Sequence, residues 1–433
     1  MRQWRPLRGV RVLSFEAAFS LPAGTRVLAD LGAEVVRVGW PGGTYGTYIA
    51  IIDGVGLNKR TIGIDLRSDE GRALARCLIE RADIVCNNFR PPVMRQYGLD
   101  AESLRKVRPD LIVLQLSGYG APGPWQDFPA YGPSVEAAGG MNAQMGEAHD
   151  PPMRLGSGVF ADQAAGRYAA LALLDALAQR RKTGEGRTID LSMYEVIVHL
   201  LGDTVLAAAH TGRVPPRQGN RDTRCAPQGI YPCAGDDDWL ALSVVNDAQW
   251  CALRGLLADP TLADPALDHV EARLQQHDRI DTAIAAWTRP QAKAAAVARL
   301  QRAGVPAGPV QRPRDLPLDE QLLARGAYQS VRRTAPLLGR LEHQHLTLAW
   351  RVEGAARPAL RPERAIGADT RRVLKAWLGL SAAEVRRLER SGALLRIPIP
   401  EVKVPANQIV GPVDPDFERR LGLPAAAVEA PAR

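Results

Sequence analysis

Between Val10 and Leu116 the chain alternates short runs rich in Val and Ile with longer amphipathic runs, and this alternation restricts the fold more than any other feature of the sequence. Val10 to Phe15, Glu34 to Val38, Thr61 to Leu66, Asp83 to Cys86 and Leu111 to Leu116 read as strands bounded by turn residues. Ala23 to Leu31, Asp69 to Arg81 and Ala101 to Val107 read as helices between them. Strands alternating with helices predict an α/β fold, a parallel sheet with helices on both faces. Such sheets bind ligands beyond the carboxyl ends of their strands, so the loops that follow the strands are where a site is sought.

The first of these loops, Glu16 to Gly24, has no GxGxxG, and Pro41 to Gly46 follows the second strand without the helix that a dinucleotide fingerprint needs. A nicotinamide-dependent dehydrogenase is therefore not expected. After Cys86, Asn88-Phe89-Arg90 and Arg95 set an aromatic ring beside two cations. That group suits a purine and its phosphates, and it equally suits a plain turn into a helix. From Ser117 to Pro133 the chain is loop-like, and its Tyr119, Trp125 and Tyr131 argue for packed order.

Residues 163 to 181 carry Leu171, Leu174 and Leu177 among many alanines, with Gly184 as a stop, which predicts a long helix. Gly156 to Gly166 leads into it and puts Asp162 at its mouth. There the unpaired N–H groups and the helix dipole stabilise an ionised carboxylate, so Asp162 is either an N-cap or an acceptor and nucleophile. Glu136 and Asp162 are the two carboxylates beside the loop-rich segments. Thr188 to Leu191 then reads as a strand and Tyr194 to Ala209 as a buried helix.

A chain of 433 residues exceeds one ordinary core, so more than one domain is expected. The divisions read from composition are a large domain over residues 1–212, a linker at 213–224, a smaller domain over 225–325, a return to the large domain at 326–396 and a Pro-rich tail at 397–433. Within the return, Ser381 and Glu384 are spaced as a capping box. No apolar run approaches 18 residues and no signal peptide is evident, which places the protein in the cytoplasm with no membrane partner. Five cysteines without a CxxC pair argue for reduced thiols. Seven scattered histidines offer no metal spacing, and His343 and His345 read as a solvent-facing pair. The net charge of +8 comes from arginines spread along the chain, which argues against a nucleic-acid stripe and leaves room for a polyphosphate ligand. GxSxG occurs nowhere, and Gly156-Ser157-Gly158 has the wrong spacing for a nucleophile elbow.

Taken as an ordered set, Leu7-Arg-Gly-Val-Arg-Val-Leu, Leu31-Gly-Ala-Glu-Val-Val-Arg37, Asn58-Lys-Arg-Thr-Ile62, Asp83-Ile-Val with Asn88-Phe-Arg-Pro, Ser117-Gly-Tyr-Gly120, Asp162 with Gly166, Arg181 to Gly186 and Gly219-Asn220 resemble the class III CoA-transferases, the CaiB/BaiF type. The resemblance runs from about residue 7 to about residue 395. It implies a Rossmann-like large domain made from both chain ends, a smaller inserted α+β domain and an interlocked homodimer. It implies further that an acyl-CoA and a carboxylic acid are the substrates, with coenzyme A as co-substrate and no tightly bound cofactor. By position, Asp162 is the nucleophile that passes through an aspartyl anhydride and an aspartyl-CoA thioester. CoA contacts fall on Leu66, Arg67, Asn88, Phe89, Arg90 and Tyr131, with Arg95 in place of a basic residue that the family often has near residue 98.

Departures from the family pattern are Gln96-Tyr97, Gly39 and Gly132, and Phe19-Ser20 disfavours an oxalate and formate specificity. Two alternatives follow from the same resemblance. One is a 2-methylacyl-CoA racemase, whose histidine would fall near Tyr131, a poor base at neutral pH. The other is a non-catalytic CoA-binding protein.

Overall fold

The computed structural model describes residues 3–39, 54–154, 159–337 and 340–396. The chain divides into two compact units. Among the described residues, the first takes those within 3–141, 154–210 and 317–396, and the second takes 142–153 and 211–316. The stretch 213–224, read from composition as a linker, falls inside the second unit.

The first unit is built on six strands: β1 (Arg11–Phe15), β2 (Glu34–Gly39), β3 (Arg60–Gly63), β4 (Ile84–Asn87), β5 (Ile112–Ser117) and β6 (Thr188–Ser192). They pair in the order β3-β2-β1-β4-β5-β6, every pair parallel. This is the Rossmann-like doubly wound order, and its switch point lies between β1 and β4. Successive side chains of a strand point to opposite faces, so Val12 and Leu13 enter different cores. Val12, Ile84 and Leu114 pack with α1 (Ser20–Asp30) and α6 (Phe160–Thr183). Leu13, Val36, Val85 and Val113 pack with α2 (Asp69–Ile79) and with two helices near the chain end, α12 (Thr370–Leu378) and α13 (Ala382–Arg390). Burial on both faces explains why the strands read as near-continuous apolar runs.

Short helices α3 (Pro91–Gln96) and α4 (Ala101–Val107) follow β4, and α5 (Gly132–Ala138) follows the long loop after β5. The Ser381 and Glu384 capping box forms as its spacing predicts. Helix α6 starts three residues before its expected beginning and ends at Gly184, whose φ of 76° gives the left-handed stop. The buried helix expected over 194–209 is instead two helices, α7 (Met193–Leu200) and α8 (Gly202–Thr211), and α8 has no buried residue. Its apolar side chains include Leu206, 70% exposed, so the composition that suggested burial within the chain describes an outward face.

The second unit pairs β7 (Gln228–Pro232), β8 (Trp239–Ser243) and β9 (Ala307–Pro309) as an antiparallel sheet. Trp250, Leu253, Ile280, Ile284 and Leu300 fill its core from α9 (Asp247–Leu257), α10 (His277–Thr288) and α11 (Lys293–Arg302). In the first unit, β10 (Tyr328–Leu337) and β11 (Arg340–Leu346) form a separate antiparallel pair.

Candidate active site

Helices α1 and α6 come together close to the switch point, and two glycines set the spacing. A Cβ on Gly166 would lie 2.6 Å from the Ser20 carbonyl and 2.9 Å from the Gly24 nitrogen, and one on Gly24 would lie 2.5 Å from the Gly166 carbonyl. Backbone therefore meets backbone. One turn before each glycine stand Ser20, the first residue of α1, and Asp162, in the first turn of α6.

Neither helix caps itself with a side chain: Phe19 precedes α1 and Val159 precedes α6. The first-turn N–H groups are instead satisfied from other elements. Glu136 of α5 accepts from Ala161 N–H at 3.1 Å, and the backbone N–H groups of Asp162 itself and of Ser20 favour the ionised Asp162 carboxylate. Asp162 is therefore not the N-cap of its helix, a position that Val159 holds, but a first-turn carboxylate close to the start of α1.

Asp162 is buried, 9% exposed. Burial, and then the charge of Glu136, push its carboxyl from the usual 3.8 up to about 6, against the pull of two backbone N–H groups. The helix mouth favours the ionised form, as its position predicts, but desolvation and the like charge of Glu136 outweigh that pull and make the carboxyl more basic. The result is a basic carboxylate, still mainly ionised at neutral pH and poorly solvated, as a carboxylate nucleophile requires.

The loop after β1 is held from two sides. Asn88, at the end of β4, clasps Ala17 with both amide atoms, accepting from its N–H and donating to its carbonyl, each at 2.8 Å. The next residue, Ala18, has φ of 51°, a strained value for a residue other than glycine. Underneath, Glu16 accepts from Lys59 Nζ at 2.6 Å, from Ser14 Oγ at 2.7 Å and from Thr25 Oγ1 at 2.6 Å, and Lys59 also reaches the Pro22 carbonyl at 2.9 Å. Burial pushes the Glu16 carboxyl up, but Lys59 and Arg37 together bring it below the usual carboxylate range. The ion pair thus ties β1, β3 and the first turn of α1. Lys59 belongs to Asn58-Lys-Arg-Thr-Ile62 and Glu16 to the loop after β1, 43 residues apart in the chain, and no local spacing predicts their pairing.

A cavity of about 250 Å³ lies past the ends of β3 and β4, lined by Asp65, Leu66, Arg67, Phe89, Val93, Met94 and Tyr97. Three of the expected contacts, Leu66, Arg67 and Phe89, meet there, and Tyr97, singled out as a departure, joins them. Arg67 stacks its fork on Asp65 at 2.8 Å and is otherwise exposed. The remaining expected residues lie elsewhere. Asn88 is engaged with Ala17 through both amide atoms and reaches Ser20 Oγ at 3.4 Å, so it ties the loop after β1 to the start of α1. Arg90 donates to the Asp127 carbonyl at 3.0 Å and fastens the long loop after β5. In that loop Trp125 and Phe128 stack at 6.1 Å, and Tyr119 meets Trp125 edge-on at 5.4 Å. Arg95 is exposed on α3, outside the cavity lining, and Tyr131 is 73% exposed at the start of α5.

His345 is half-buried rather than solvent-facing, and burial with Arg333 and Arg26 drives it down to about 4. Among the described residues no group of three His, Cys, Asp or Glu is placed to hold a metal, and no helix is long and apolar enough to cross a membrane. Gly156-Ser157-Gly158, Pro41 to Gly46 and the Pro-rich tail lie outside the described residues.

The sequence matches the family described as CoA-transferase family III over residues 7–370. It is 32% identical over 396 residues to the succinyl-CoA:D-citramalate CoA-transferase of Chloroflexus aurantiacus, covering 89% of this chain and 97% of that protein. It is 32% identical over 338 residues to the succinate:glutarate CoA-transferase of Agrobacterium fabrum, covering 74% of this chain and 84% of that one. Its fold superposes with a TM-score of 0.77 on a CaiB/BaiF family protein from Brucella suis, at 27% identity, over 87% of this chain and all of the other. A six-stranded parallel sheet in this order, motifs along the whole match and relatives of this kind together lead to one conclusion: the chain belongs to the CoA-transferase family III, the CaiB/BaiF type, and is a transferase.

Proposed function

We propose that the protein moves CoA from an acyl-CoA to a carboxylic acid, with Asp162 as the nucleophile. The observation that carries this reading is the placement of Asp162: a buried carboxylate of raised basicity, held by the Ser20 N–H where two helix starts converge beside the switch point. A carboxylate attacks the thioester carbon, giving an acyl-aspartyl anhydride and CoA thiolate. The thiolate attacks the aspartyl carbon and releases the donor acid, leaving an aspartyl-CoA thioester. An acceptor carboxylate repeats the sequence in reverse and regenerates Asp162. Every step exchanges one acyl bond for another, so no proton, metal or redox cofactor enters.

CoA is proposed to place its adenine in the cavity of Leu66, Phe89 and Tyr97, with Arg67 at the rim for phosphate. Arg90 and Asn88 act indirectly, through the loops that they fasten. Tyr131 and Arg95, exposed as they are, are free to turn toward a bound ligand. A homodimer in the cytoplasm completes the reading, and the outward apolar face of α8, with Val205 and Leu206, supports a second copy as its cover. The relatives suggest succinyl-CoA as donor and four- or five-carbon dicarboxylic acids as acceptors.

The test is an acceptor screen by mass spectrometry with succinyl-CoA and acetyl-CoA, run on the wild type and on Asp162→Asn. New acyl-CoA in the wild type and none in the variant is expected. Transfer that persists in the variant would remove Asp162 from the mechanism, and exchange of the α-hydrogen of a 2-methylacyl-CoA without any acid would point to a racemase.

A further inference from the structure

Glu136 has no part in the transfer scheme above, yet it is among the most enclosed charged side chains of the first unit. It is fully buried, on a helix that packs against both α6 and α7. Its Oε1 accepts from Ala161 N–H at 3.1 Å, on the residue directly before Asp162. Its Oε2 is buried with no hydrogen-bond partner among the described residues. A buried carboxylate with one oxygen left bare is costly, and a structure keeps it only where something else depends on it.

We infer that Glu136 is a positioning residue of the transfer reaction: it fixes the start of α6 through Ala161 and, by its charge, destabilises the free carboxylate of Asp162 relative to the acylated forms. The inference rests on Asp162 being the group that takes the acyl chain. The charge balance shows how it works. When an oxygen of Asp162 bonds to the acyl carbon, the carbon–sulfur bond breaks and its electron pair leaves on CoA sulfur. The negative charge thereby moves from beside Glu136 to the departing thiolate. When the thiolate attacks the aspartyl carbon, the bond to the donor acyl oxygen breaks and the charge leaves on the donor carboxylate. In both covalent states Asp162 is neutral, so the repulsion from Glu136 is present in the resting enzyme and relieved in the intermediates.

The other charged groups nearby do not supply this field. On α1, Arg26 is paired with Asp30 at 2.7 Å, and on α6, Arg167 is hydrogen-bonded to Gln163. On α7, Glu195 and His199 face outward. Glu136 is the charged group that acts on Asp162, in the same direction as burial.

The test compares wild type, Glu136→Gln and Glu136→Asp. Glutamine keeps an acceptor for Ala161 N–H and removes the charge. The acid limb of kcat/KM is expected to move down by about one pH unit in Glu136→Gln, with kcat lowered about tenfold and KM for acyl-CoA within about twofold. The fraction of enzyme trapped as aspartyl-CoA thioester at equilibrium falls with it. Glu136→Asp is expected to keep the limb near its wild-type position. A limb that stays in place in Glu136→Gln, whatever happens to kcat, overturns the inference and leaves Glu136 a structural cap. Carbon-13 NMR of carboxyl-labelled aspartate and glutamate, assigned with Asp162→Asn, gives a second reading without activity. The Asp162 resonance is expected to titrate near 6 in the wild type and in Glu136→Asp, and at lower pH in Glu136→Gln. A wild-type Asp162 that titrates near the ordinary 3.8 overturns the inference even where Glu136→Gln does not fold. Transfer that survives in Asp162→Asn, with the raised Asp162 titration intact, would instead reject the reading of Asp162 alone.

Discussion

Gly24 and Gly166 meet backbone to backbone where α1 crosses α6, one turn behind Ser20 and Asp162. Methyl groups there would fall 2.5 Å from the Gly166 carbonyl and 2.6 Å from the Ser20 carbonyl. Such contacts cannot be relieved by turning a side chain, so the helices themselves must part. Gly166→Ala is expected to lower stability by about 1 to 3 kcal/mol, seen as a lower Tm. It should also reduce transfer more than binding, because parting the helices withdraws the Ser20 N–H from Asp162. A variant with wild-type Tm and kcat would show that the close approach has no role.

Asp162 makes stability depend on pH with a definite sign. Its carboxyl sits near 3.8 when unfolded and is raised to about 6 in the fold, so between those values the folded chain holds a proton that the unfolded chain releases. Stability from this group is therefore present below pH 3.8 and lost as pH rises to about 6, a difference of about 3 kcal/mol. Asp162→Asn removes that loss. The variant is expected to be inactive yet more stable than wild type at pH 7, with the gain gone at pH 4. Denaturant titrations at the two pH values check it, and an equal gain at both would contradict the assignment. In the wild type, kcat/KM should fall below pH about 6.

The buried Glu16 and Lys59 pair predicts a large effect on stability. Removing Lys59 leaves the buried Glu16 carboxylate with only the more distant Arg37, 3.9 Å away, as a cation, and Lys59→Met is expected to cost about 3 to 5 kcal/mol. Adding Glu16→Gln should recover part of this. Chemical denaturation of the single and double variants forms the cycle, and additive losses would show that the two residues do not interact.

The topology was legible because β1, β2, β4 and β5 are buried on both faces, which forces runs such as Ile84-Val85 that no half-exposed strand needs. The position of Asp162 was legible for a similar reason, since its helix is long and ends at Gly184. Its electrostatics were not. The residue that caps α6 is Glu136, far back in the chain, and a cap supplied through space leaves no local spacing to read. The same holds for Asn88, whose motif suggested ligand contact while its side chain closes on Ala17. For α8 the failure runs the other way: its apolar composition predicts burial, and the helix leaves those side chains exposed in this chain.

Phe89 offers a test of the CoA site that is separate from the chemistry. Its ring and Tyr97 line the cavity past β3 and β4. In the proposed pose they hold adenine, which is the same distance from the thioester in ground and transition states. A contact of that kind contributes uniform binding, so its loss raises KM and spares kcat. Leucine keeps much of the packing against the core while removing the aromatic face. Phe89→Leu is therefore expected to raise KM for acyl-CoA about tenfold, equivalent to about 1.4 kcal/mol, with kcat within about twofold. Calorimetry with adenosine 3′,5′-bisphosphate isolates the effect, because that ligand carries the base and two phosphates on the ribose and lacks the thioester arm. Weaker binding of this fragment and of acyl-CoA by the same factor places the adenine against Phe89. Unchanged fragment binding with a raised KM would mean that Phe89 acts on the arm, and the cavity would then need a different occupant.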